Sequence, residues 1–159
     1  MTLISRFLDT NGDGSGTKNA NGDYSGAAQA FFFDPEDNYV NLTRMLICVV
    51  DTAGFQAEEY GNTGGVLANG IEVKLVDGST TIVDFTDGLP VKTNSGWATF
   101  CHDAQLKEWG AGDELLTIRW TFSKSGRPLE LHGDLRLEIV LNDDLTGLLG
   151  HYFVVQGFK

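Results

Sequence analysis

The residues best placed to do chemistry lie near the start of the chain: Asp9-Thr10-Asn11-Gly12-Asp13-Gly14. They match the first half of an EF-hand calcium loop, where side-chain oxygens at alternating positions converge on a hard cation and the glycine permits a sharp turn. The bidentate acid of such a loop would fall at residue 20, which is Ala20. Asp9, Asn11 and Asp13 are therefore candidate calcium ligands, but the favoured reading is a turn-rich loop in which Asp and Asn bond their own backbone. No other cofactor is expected.

Catalytic constellations are missing from the pattern. Ser15 lies between Asp13 and Thr17 rather than in a G-x-S-x-G elbow. Gly14-Ser15-Gly16-Thr17-Lys18 lacks the G-K-[ST] ending of a phosphate loop. His102, His132 and His151 share no metal-ligand spacing, although His102-Asp103 and His132-Gly133-Asp134 each place an imidazole near a carboxylate. Glu58-Glu59 and Asp143-Asp144 read as solvated acids rather than a glycosidase pair. The expectation is a chain that is not an enzyme. Trp97 and Trp109 could form a sugar-stacking platform, while Trp120, spaced with Ile118 and Phe122, reads as core.

The elements that would position these residues are strands. Phe31-Phe32-Phe33 forms a short aromatic strand stopped at Asp34-Pro35, and Tyr39 to Val50 follows. Phe55 to Tyr60 is the one helix candidate. Val66 to Val76, Thr80 to Phe85 and Trp97 to Leu106 read as strands. So do Leu116 to Phe122, Leu129 to Leu131, Leu135 to Leu141 and Leu148 to Phe158. Period-two alternation is cleanest at Leu116, Ile118, Trp120 and Phe122. Eight or nine short strands with frequent turns predict an all-β antiparallel sandwich, jelly-roll-like, with at most one short helix.

Residues 9 to 26 are rich in Gly, Asp, Asn and Ser and have no period. The predicted organisation is a polar N-terminal arm, 1–29, and a sandwich domain, 30–159. The arm needs something to hold it: its own domain, a metal ion or a neighbouring subunit. The neighbour is the expected one, with Leu3, Ile4, Phe7 and Leu8 as apolar anchors. Three adjacent phenylalanines cannot all face one core, so Phe31 and Phe33 join them as candidate interface residues. Removing residues 1 to 26 is then expected to leave the sandwich folded and to abolish assembly.

At 159 residues the chain is one ordinary domain that can fold without disulfides or metals. Its formal charge of −11 makes nucleic acid and anionic membranes unlikely partners. Cys48 and Cys101 read as two buried thiols, their pairing left open. No basic start followed by a long apolar run opens the chain, so no secretory signal is expected.

The segments FLDTNGDGSGTKNANGDYSG, from Phe7, and LNDDLTGLLGHYFVVQGFK, from Leu141, resemble small virion-associated proteins of tailed bacteriophages. The resemblance implies a structural virion protein, most often a capsid decoration (cement) protein that bridges capsid subunits. Its partner would be the major capsid protein or another virion protein, and its own assembly a homo-oligomer, commonly a trimer. It would be assembled in the host cytoplasm and reside in the virion. The alternatives are a head-tail or tail component, or a carbohydrate-binding β-sandwich module.

Overall fold

A computed structural model describes residues 1–100, 103–109, 112–122 and 126–159. Its strands are β1 (Leu3–Phe7), β2 (Gln29–Phe33), β3 (Val40–Thr52), β4 (Glu72–Asp77), β5 (Thr80–Asp84), β6 (Asp103–Trp109), β7 (Asp113–Thr121), β8 (Leu129–Leu131), β9 (Leu135–Leu141) and β10 (Gly150–Phe158). One antiparallel sheet runs β1-β10-β3-β7-β6, with β8 also on β3; the other runs β2-β9-β4-β5. The two sheets pack face to face, so the fold is the all-β antiparallel sandwich that the alternation predicts.

The long strand β3 organises the first sheet. Its inward side chains Val40, Leu42, Met45, Ile47 and Val49 are all buried. β10 pairs along one edge of β3. Along the other edge, β7 pairs with Arg44–Thr52 and β8 with Val40–Leu42, end to end. The register between β10 and β3 shifts at Gln156/Gly157. There the Asn41 carbonyl oxygen would lie 2.0 Å from a Cβ on residue 157, so only glycine fits. The second sheet contributes Phe31, Phe33, Val73, Leu75, Leu137, Ile139 and Leu141 to the same core.

Three buried aspartates clamp loops onto this frame. The carboxylate of Asp9 accepts the amides of Gly12 and Gly16. Asp51 accepts the amides of Thr52 and Asn62, each at 2.8 Å. Asp143 accepts the amides of Ala68 at 2.7 Å, Asn69 at 3.0 Å and Gly70 at 2.8 Å. A carboxylate satisfied by backbone amides takes the place of the water that those amides would otherwise bind, and removing it strands buried donors. Asp143→Ala is expected to destabilise the protein by about 2–4 kcal/mol, read as a lower midpoint in urea with an unchanged slope.

Several sequence expectations need correction. Asp143, expected with Asp144 as a solvated acid, is buried and holds three backbone amides. Phe55 to Tyr60 forms turns, not a helix. The carbonyls a helix would use there are taken from outside: Glu59 accepts the Asn94 amide and Ala57 the Ser95 amide. Trp97 does not begin a strand but lies in a short 3₁₀ turn, Ser95–Thr99. The Asn94 side chain holds that turn against the 56–61 loop, donating to the Gln56 and Gly61 carbonyls and accepting from the Gly61 amide. Finally, the segment 1–29 does not stand off the sandwich. It supplies β1, paired with β10 through five residues. It also buries Leu8 and Ala20 in the core. The arm is held by its own domain.

Candidate interaction surface

The calcium candidates Asp9, Asn11 and Asp13 do not converge. Both Asp9 oxygens face backbone amides from a buried position. Asp13 accepts from the Ser15 hydroxyl and amide, which hold its carboxyl below the ordinary carboxylate range. Asn11 donates to the Ser15 hydroxyl at 3.0 Å. The loop is the self-bonded turn structure. Among the described residues no group of three or more His, Cys, Asp or Glu is arranged to hold a metal.

The two described histidines, His132 and His151, do not assemble a site either. His132 stacks on Tyr39 with ring centroids 5.9 Å apart. His151 is completely buried, and its Nε2 shares a 2.5 Å hydrogen bond with the Tyr60 hydroxyl, also completely buried. Burial pushes the His151 pKa down to about 3 and the Tyr60 hydroxyl above its ordinary value. Both rings stay neutral and sealed from solvent. His102 and Cys101 lie outside the described residues.

The proposed sugar platform loses Trp97, whose ring is fully buried and packs edge-on against Trp120 at 6.4 Å. Trp120 is core, as its spacing predicts. The side chain of Trp109 lies outside the described ones. Among the interface candidates, Leu8, Phe31 and Phe33 are buried within the chain and cannot meet a partner. Ile4 is partly buried against the core. Only Leu3 and Phe7 face outward, 81% and 39% exposed. The phenylalanine turned away from the core is Phe32, and the chain itself covers it. The Arg136 guanidinium lies 4.9 Å from its ring centroid, and a Cβ at Gly12 would strike the ring.

The outer faces of the two sheets differ sharply. On the four-stranded sheet, register aligns Phe32, Glu138, Lys74 and Asp84 in one row across the strands. Lys74 pairs with Glu72, and that bond, reinforced by the other nearby carboxylates, raises the Lys74 pKa. Such alternating charge is what a solvent-facing sheet carries.

The outer face of the six-stranded sheet carries an apolar band across β1, β10, β3 and β7 instead. Along β3 the outward residues are Leu46, Cys48 and Val50, between the inward Met45, Ile47 and Val49. Register places Tyr152 and Thr117 on either side of Cys48. Val154 and then Phe7 extend the Leu46 row, and Leu115 stands opposite Val50. Phe7 and Tyr152 meet edge-on at 5.8 Å. The thiol of Cys48 is free, and its partial burial raises its pKa.

Compared with known protein families, curated proteins and solved structures, this chain matches none.

The face therefore rests on its own chemistry. Its charged groups are Arg44, Lys107 and Arg119 against Asp103, Asp113 and Glu130, placed outward by register. Three cations against three carboxylates leave it formally neutral, on a chain of formal charge −11. Arg119 and Asp103 pair at 3.3 Å on its flank. Sequence reading missed Leu46, Cys48, Val50, Leu115, Tyr152 and Val154. The signal was present in Met45 to Val50, which is apolar at every position. A strand without alternation has two apolar faces, and one sandwich core covers only one of them.

Proposed function

We propose that this protein is a structural, non-catalytic component of a phage virion, acting as a capsid decoration protein that docks through the outer face of its six-stranded sheet. The observation that carries this reading is that face: Leu46, Cys48, Val50, Leu115, Tyr152, Val154 and Phe7 form a continuous apolar band, and among the described residues no strand or helix is laid over it. An extended apolar patch on a small acidic domain marks a surface meant to be covered by protein. The mechanism is burial of this band at a subunit junction, repeated over many copies, so that a modest contact stabilises a whole shell.

The resemblance to small virion-associated proteins gives the setting, and the sealed state of His151 and Tyr60 fits a chain without chemistry to perform. The carbohydrate-binding alternative draws no support from Trp97, whose ring is buried. Quantitative mass spectrometry of purified particles tests the proposal. Copies in the hundreds are the expected result. A handful per particle would move the protein to a tail or connector, and its absence from particles would overturn the virion role.

A further inference from the structure

We propose that the docking face pairs first with itself: two copies of this chain stack their six-stranded sheets face to face about a two-fold axis that passes beside Cys48. This inference rests on the reading of that face as a docking surface, and it names the occupant as a second copy.

Three observations point to a like partner. The first is position. β3 is the middle strand of the path β1-β10-β3-β7-β6, and Cys48 sits mid-strand with Tyr152 and Thr117 beside it. An isologous contact centred on the face brings residues at its centre against their own copies. Self-pairing therefore makes a specific geometric demand on one residue, Cys48.

The second is charge. Each copy carries a formal charge of −11, so two copies repel one another through most of their surfaces. The outer face holds three cations, Arg44, Lys107 and Arg119, balanced by three carboxylates, Asp103, Asp113 and Glu130. It is the face through which two such copies meet without net repulsion. The flanking Arg119–Asp103 pair can be read in either order across a two-fold axis, which suits a self-complementary contact.

The third is size. Five strands about 4.8 Å apart, each with roughly seven residues at about 3.3 Å, cover on the order of 550 Å² per copy. Two copies then bury roughly 1,100 Å², above the ~1,000 Å² that a specific interface needs. A flat sheet stacking on a sheet yields a pair, so the building unit is a dimer rather than the trimer that the resemblance implies.

The stacking distance also selects the probe. Packed sheets lie about 10 Å apart, whereas disulfide-bonded Cα atoms are usually about 4.4–6.8 Å apart. Two Cys48 thiols across such an interface are thus poorly placed for a disulfide but within reach of a short bis-maleimide.

The test uses the full chain carrying Cys101→Ser, which leaves Cys48 as its one thiol. Light scattering at tens of micromolar protein should give twice the 17.3 kDa monomer mass. A short bis-maleimide should convert most of the protein to a covalent dimer, and Cys48→Ser should abolish that product. Leu46→Glu and, independently, Thr117→Arg should each weaken dimerisation at least 100-fold while keeping a cooperative melt. Both side chains point outward, and the second variant covers the case in which the first folds poorly. Raising salt should preserve or strengthen the dimer, because the copies carry like charge.

A wild-type chain that stays monomeric, or a dimer that survives both substitutions and yields no Cys48 product, overturns self-pairing. Either result leaves the virion role standing if particles still carry the protein in high copy number, with the face then covered by a different subunit. High-copy particles and a solution dimer together support both readings.

Discussion

Removing residues 1 to 26 is expected to abolish cooperative folding, the reverse of what the polar composition of the segment suggests. β1 forms the outer edge of the first sheet, with Leu3 through Phe7 opposite Phe158 through Val154. Leu8 is completely buried, and its amide donates to the Phe153 carbonyl at 2.8 Å. The Arg6 guanidinium lies 4.3 Å from the Phe33 ring centroid and donates to the carbonyls of Gly12 and Asp34. Further along, Asn19 accepts the His151 amide, and the Ala20 amide donates to the His151 carbonyl at 2.7 Å. Truncating a buried Leu to Ala alone costs about 2–5 kcal/mol. Adding the lost strand pairing and the Asp9 clamp brings the loss near the 5–15 kcal/mol that is the whole stability of a typical domain. Circular dichroism should show no sharp melt for the truncated chain. A milder variant, Leu8→Ala, should fold and melt roughly 5–15 °C lower. A truncated chain melting near the wild-type temperature would show that the segment is dispensable after all.

Acid is expected to destabilise the protein through His151. Burial lowers its folded pKa to about 3, against 6.5 for an ordinary histidine. Between those values the unfolded chain binds a proton that the folded chain refuses. Stability from this group is therefore fully present above pH 6.5 and is lost progressively as pH falls towards about 3. The slope is about 1.4 kcal/mol per pH unit, and the loss across the window is on the order of a few kcal/mol. The surroundings offer no relief. Nε2 faces the neutral Tyr60 hydroxyl, Nδ1 has no hydrogen-bond partner among the described residues, and the ring packs against Phe153 at 4.7 Å. Urea unfolding at pH 7 and pH 4 checks the effect when His151→Gln is run beside the wild type, because carboxylates common to both cancel in the difference. The variant should be less stable at pH 7 and should lose less on acidification. Equal pH slopes in the two proteins would remove His151 as the cause. Tyr60→Phe with His151→Phe, which removes both polar partners together, should cost less than either single change leaves unpaired.

The strands with strict alternation were legible because their inward and outward residues differ in kind. Leu116, Ile118 and Trp120 are buried, while Thr117 and Arg119 face outward. Leu137, Ile139 and Leu141 behave in the same way on β9. The self-bonded turn at Asp9 to Ser15 was legible too, because its hydrogen bonds span a few residues and depend on side-chain type. β1 was not legible. Five residues with exposed Leu3 and Ser5 carry little signal, and their partner strand lies at the other end of the chain. Phe55 to Tyr60 misled because its composition favours a helix, while its carbonyls are claimed by Asn94 and Ser95 from far along the sequence.

The sequence by itself determined the class of fold, because period-two patterning and frequent turns leave few ways to bury so many half-apolar strands. It also determined that Met45 to Val50 has apolar side chains on both sides, and so that one side must face something other than the core. Only the tertiary structure decided which side that is. It placed Leu8, Phe31 and Phe33 in the interior, left Leu3 and Phe7 outside, and aligned Phe7, Val154 and Leu46 in one row across β1, β10 and β3. The physical reason is that alternation fixes only which residues share a face of one strand. Which faces of different strands come together depends on pairing across the length of the chain, and here that pairing joins the first strand to the last.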